Sequence, residues 1–139
     1  MTEADGAVTG APNLILRAEG LGVLAASAWA FGGTGASGWM FAGLLLAPDL
    51  SMLGYLRGPR VGAAAYNALH TYLGPLALLG IGAAAATPLA TALGLIWAAH
   101  IGMDRAMGYG LKYPWAFKAT HLSGEGVRAG APATPSGRA

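Results

Sequence analysis

His100 and Asp104 lie four residues apart in Ile96–Lys112, IWAAHIGMDRAMGYGLK, a stretch that begins as strongly apolar sequence and ends basic and aromatic. On a helix this spacing stacks both side chains on one face, about one turn apart. An imidazole beside a carboxylate can work as an acid–base pair, or the two can share a divalent metal, since both suit Zn, Fe or Mn. Neither is at home beside lipid: an ionised Asp at the centre of a membrane helix costs roughly 2.5–3.5 kcal/mol on insertion scales. The rest of the chain must therefore provide an interior or a wet cavity. Three further titratable groups sit in apolar surroundings. Asp49 follows Pro48 in Ala47–Ser51, APDLS, where the missing proline N–H frees a carbonyl and opens the helix locally. His70 shares a stripe with Asn67, Thr71 and Gly74 at i, i+3, i+4 and i+7. Glu19 stands in the first turns of an apolar run. Asp49, His70, His100 and Asp104 are the candidate catalytic residues, and the same four with Glu19 are the candidate metal ligands.

Other chemistries find little support. The chain has no Cys, which removes disulfides, thiolate metal sites and a Cys nucleophile. HIGMD is not the Glu-x-x-His element of helical di-iron bundles, and no H-E-x-x-H zinc helix occurs. Ser27, Ser37, Ser51 and Ser123 lack a nucleophile-elbow context. No Gly-rich phosphate loop is present, and no basic tract is dense enough for nucleic acid.

The elements that must position these groups follow from composition. Of 139 residues, 55% are hydrophobic and 10% charged, and the mean hydropathy is +0.51. Soluble domains carry about 25% charged residues. The pattern predicts an all-α membrane protein, a bundle of four transmembrane helices: about Leu14–Phe31, Trp39–Leu56, Arg60–Ala83 and Leu89–Met107. Small residues on the Glu19 stripe, Gly22, Val23 and Ala26, would let another helix approach. Trp29, Phe31, Trp39 and Phe41 flank the first turn like an interfacial aromatic belt. Residues 108–122 read as a segment lying along the membrane interface, and residues 1–13 and 123–139 as disordered tails. Arg57 and Arg60 occupy one loop, Arg105, Lys112 and Lys118 flank the last span, and the other two loops carry no Lys or Arg. The positive-inside rule then puts both termini in the cytoplasm and the chain in the inner (plasma) membrane as a multi-pass protein. At the helical rise, Glu19 lies ~7 Å, Asp49 ~10 Å, His70 ~15 Å, His100 ~10 Å and Asp104 ~5 Å from the cytoplasmic side. Every span contributes a titratable group to that half, which predicts a polar vestibule.

Two blocks, APDLSMLGYLRGPRVGAAAYNALHTYLGPLAL and IWAAHIGMDRAMGYGLKYPWAFKATHL, resemble the small bacterial integral-membrane proteins grouped as the domain of unknown function 4260 family, over about Leu14–Leu122. The resemblance implies a compact helical membrane domain and brings no activity, cofactor or substrate. Asp49, Tyr55, Asn67, His70, His100, Asp104, Arg105, Lys112 and His121 match polar positions of that family, which makes Tyr55, Asn67, Arg105, Lys112 and His121 the supporting polar set. His121 either folds back over the vestibule or is solvated at the interface.

The function expected first is a membrane-embedded enzyme, metal-assisted by Zn, Fe or Mn, acting on a lipid-like small molecule among membrane lipids. The alternatives are a proton- or cation-coupled transporter or channel, and a scaffold whose polar residues fix helix register. No nucleic-acid partner is expected. The Gly- and Ala-rich faces would permit a homo-oligomer.

Overall fold

The computed structural model describes residues 6–123. The predicted disorder of residues 1–5 and 124–139 lies outside them. The protein is all-helical: α1 (Gly10–Gly32), α2 (Gly38–Leu44), a 3-10 helix (Ala47–Arg57), α3 (Pro59–Leu69), α4 (Leu73–Ala84) and α5 (Pro88–Met107). Among the described residues the one piece of β pairing is an isolated antiparallel bridge between Lys112 and Thr120. Two helical stretches, Gly10–Gly32 and Gly38–Arg57, are long and apolar enough to cross a membrane.

The central element is α5, which packs against both α1 and α4. Pro88 opens it, where a missing N–H costs nothing, and Gly108 closes it in the left-handed conformation (φ 91°) that glycine tolerates. Its buried residues are mostly small, Ala90, Ala92, Gly94, Ala98, Ala99 and Gly102 among them. Helix α1 meets it at Gly20 and Gly102. A Cβ at Gly102 would lie 2.6 Å from the Gly20 carbonyl oxygen and 2.7 Å from the Leu24 nitrogen, so the two backbones touch. The expected contact at Gly22 is not the one used, since that residue faces open space. At the other end of α5, Ile96 and Ala92 form a small core with Phe31, and Phe31 meets Phe41 edge to face at 5.0 Å. Phe31 is thus a core residue, while Trp29 and Trp39 stay 85% and 88% exposed.

Two predicted spans are interrupted. The second is not one α-helix: α2 ends at Leu44, and from Ala47 the chain winds as an 11-residue 3-10 helix with Pro48 in its first turn. Proline cannot donate to the preceding turn, and runs of 3-10 this long are uncommon. The third span breaks at His70–Tyr72, between α3 and α4. Pro75 has no N–H for the Thr71 carbonyl, and its ring would crowd that carbonyl in a continuous helix. The break therefore falls inside the polar stripe rather than past it. The carbonyls it exposes are satisfied from α5: Trp97 Nε1 donates to Leu69 O (2.6 Å) and Arg105 Nη2 to His70 O (3.0 Å).

After α5 the chain folds back onto the helices. Lys112, Ala119, Thr120 and Leu122 are buried. The N-terminal approach and the first turn of α1 are tied to this segment. Val8 N–H donates to His121 O (2.7 Å), Asn13 Nδ2 to Leu122 O (2.8 Å), and Tyr113 Oη to Gly6 O (2.6 Å).

Candidate metal centre

Three elements converge on one point. Helix α5 presents His100 and Asp104 from adjacent turns, and α3 presents Tyr66 and, at its C-cap, His70 with the same spacing. The 3-10 helix contributes Asp49 from its first turn, and α3 packs directly on that helix. Asp49, His70, His100 and Asp104 offer one donor atom each, and the four atoms all lie within 4.8 Å of one another. His70 Nε2 is 3.0 Å from His100 Nε2, 3.4 Å from Asp49 Oδ1 and 3.4 Å from Asp104 Oδ2. His100 Nε2 is 3.4 Å from Asp49 Oδ1 and 3.7 Å from Asp104 Oδ2.

A hydrogen bond at the edge of the cluster turns the lone pair of His70 inward. His70 Nδ1 lies 2.8 Å from the Tyr66 carbonyl, which can only accept. That nitrogen therefore carries the ring proton, and Nε2 presents a lone pair to the centre. The Tyr66 ring stacks on His70 with centroids 3.6 Å apart, and its hydroxyl donates to Asp104 Oδ2 at 2.9 Å. One tyrosine thus positions a histidine through its backbone and an aspartate through its side chain. His100 Nδ1 is buried with no partner, which makes the two histidines unlike. His70, His100 and Asp104 are buried, while the Asp49 side chain keeps 34% of its surface. Among the described residues no Lys or Arg nitrogen comes within 4.0 Å of either carboxylate. Two acids and two imidazole nitrogens face one another without a Lys or Arg in contact, an arrangement that a divalent ion would balance.

A cavity of about 310 Å3 reaches the cluster. Asp49, Asp104, Tyr66 and Lys112 line it together with apolar side chains such as Met52 and Met103. Among the supporting residues, Asn67 clamps the return segment from both sides: its Nδ2 donates to Lys112 O (2.8 Å) and its Oδ1 accepts from Lys112 N–H (2.7 Å). Burial lowers the Lys112 amine from its usual range, with Asp104 and Asp49 acting in the opposite sense. Tyr55 packs edge to face on Phe117 at 5.0 Å, and its hydroxyl is buried without a partner. Arg105 does not touch Asp104; it binds the carbonyls of His70 and Tyr109.

Glu19 lies outside the cluster. It is exposed and borders a separate groove with Tyr72, Arg105 and His121. His121 borders the Glu19 groove rather than the four-residue cluster, and it is half-buried rather than solvated, with Nδ1 accepting from Leu111 N–H at 2.8 Å. Burial first, and the Arg105 guanidinium second, hold its ring below the usual imidazole range. Tyr66 is not among the candidate residues singled out from the sequence. Its i, i+4 spacing to His70 was the available signal.

The model of the domain of unknown function (DUF4260) matches residues 13–124. The chain belongs to that family. The matched range takes in α1 from Asn13 onward, the other helices through α5, all four clustered residues and the return segment. No curated protein and no solved structure matches the chain.

Proposed function

We propose that the protein is a multi-pass inner-membrane metalloenzyme in which Asp49, His70, His100 and Asp104 hold one divalent ion, Zn, Fe or Mn, next to a pocket for a lipid-like substrate. The observation that carries this reading is the spacing of the donor atoms. A tetrahedral ion with bonds of ~2.0–2.1 Å sets its ligands ~3.3–3.4 Å apart; the separations to the two imidazoles run from 3.0 to 3.7 Å, and all four donor atoms lie within 4.8 Å of one another. The His70 Nδ1 to carbonyl bond and the Tyr66 to Asp104 bond are the outer contacts that orient metal ligands elsewhere. A bound ion would supply Lewis-acid chemistry and an acidified water. His70, His100 and Asp104 are the fixed ligands. Asp49, the most exposed of the four, would be the carboxylate able to give up a bound ion and take a proton.

Two further observations support the membrane reading. Two stretches are of crossing length, and many large apolar residues are exposed, with Leu56 at 86%, Leu73 at 73% and Leu50 at 67%. On this reading α1, α2 with the 3-10 helix, α3 with α4, and α5 are the four crossings, with both termini cytoplasmic. The absence of Cys makes this directly testable. In intact cells a membrane-impermeant maleimide should label Ser37→Cys and spare Ser123→Cys; the opposite pattern rejects the orientation.

The metal reading is tested by elemental analysis of the purified full-length protein. One equivalent of Zn, Fe or Mn is expected, lost in His70→Ala and His100→Ala. Membrane lipid extract incubated with the loaded protein, followed by mass spectrometry, reports turnover; an unchanged profile limits the function to metal binding. A protein that takes up none of these ions, yet passes protons or cations in liposomes until Asp104→Asn abolishes the flux, is a transporter. If the substitutions change folding yield alone, the cluster only sets helix register.

A further inference from the structure

The return segment places a cation where the metal centre has no use for it. Lys112 is 8% exposed, and Asn67 fixes its backbone at both the N–H and the carbonyl. Its Nζ donates to Phe117 O at 2.7 Å and sits 3.7 Å from the Phe117 ring centroid and 4.7 Å from that of Tyr66. An ammonium has three N–H groups, and one is matched by a protein oxygen. Lys112 borders the same cavity as Asp49 and Asp104, whose remaining wall is apolar and rich in methionine: Met52, Met103 and Met107. Methionine suits a flexible chain because it repacks at little cost. The charges select the ligand. Two carboxylates and a divalent ion sum to zero, which leaves the single positive charge of Lys112 to be matched.

Resting on the metal reading above, we propose that this cavity binds an amphipathic monoanion, a carboxylate or phosphodiester head between Lys112 Nζ and the ion, with its chain among Met52, Met103 and Met107. At about 310 Å3 the cavity is at the small end of ligand pockets, enough for a head and the first part of a chain.

The test uses full-length protein in neutral detergent, loaded with Co2+, whose visible spectrum changes when a ligand enters its coordination sphere. Octanoate, dibutyl phosphate and the neutral control 1-octanol are titrated in turn. At least one anion should bind about tenfold or more tighter than octanol, the worth of one charge-assisted contact. Preference for octanoate identifies a free carboxylate, and preference for dibutyl phosphate a phosphodiester. Lys112→Met should erase the preference while Co2+ affinity stays within about twofold, and Lys112→Arg should restore it. Octanol binding as tightly as both anions overturns the proposal on the wild-type protein alone, whether or not the variants fold. An anion preference that survives Lys112→Met overturns it as well. A protein that takes up Co2+ but shows no anion preference leaves the metal centre standing, whereas failure to take up Co2+ removes both.

Discussion

One face of α5 meets α1 backbone to backbone at Gly102 and Gly20, and another meets α3 and the 3-10 helix through His100 and Asp104. The first seam works because glycines let the two backbones touch, with Arg17 Nε donating to Ala106 O beside them. The second works because four polar side chains reach the same point. Shape governs one seam and charge the other, so substitutions on neighbouring residues of a single helix should fail in different ways.

The sharpest separation is expected from His100→Gln, which removes one ligand of four. Metal affinity should fall by more than about 100-fold, beyond the loss seen for outer contacts. Unfolding in the presence of chelator should change little, and Glu19→Gln, outside the cluster, should leave affinity intact. Isothermal titration of both variants checks this, and equal losses would erase the distinction between the seams. Tyr66→Phe comes next. Without the hydroxyl on Asp104, affinity should drop about 10–100-fold while the ring still stacks on His70. Gly102→Val does the reverse. Its added carbons collide with the Gly20 carbonyl, and overpacking of this kind costs about 1–3 kcal/mol. Thermal unfolding should register that cost while residual folded protein still binds metal at one equivalent.

The smallest effect belongs to His121, outside both seams. Its ring is held neutral, below the ordinary value of 6.5. The unfolded chain therefore binds the proton more readily, and stability is full above that value and declines as pH falls through it. Comparing unfolding of the wild type with His121→Asn, which keeps an acceptor for Leu111 N–H, from neutral to mildly acidic pH should reveal an acid-side decline in the wild type that the variant lacks.

The sequence made α5 legible almost to the residue, Leu89–Met107 expected and Pro88–Met107 found, because its signals are local: a proline at the start, a glycine at the end and an apolar run between. His100 with Asp104, and the separate Asp49 and His70, were legible as expensive groups in apolar surroundings. Glu19 carried the same signal and a different fate. Successive residues on a helix point about 100° apart. Once Gly20 turns toward α5, its neighbour Glu19 cannot face the same way, and that rotation is set by a contact with a residue 82 positions on. Pro48 already marked an opening in the second span, whereas the break in the third was hidden for a related reason: the stripe Asn67–Gly74 suits a continuous helix equally well, and the carbonyls freed at Leu69 and His70 are satisfied by Trp97 and Arg105 from α5. The burial of Lys112 was likewise invisible, since a basic residue beyond a span ordinarily marks topology.

The order of the ligands along the chain bears on how the protein is made. Asp49 and His70 are synthesised well before His100 and Asp104, and the Tyr66 hydroxyl has no aspartate to hold until Asp104 has emerged. If the cluster binds an ion as proposed, a ribosome-bound chain that stops short of α5 would own half of its ligands, and capture of the ion would be a closing event of biogenesis.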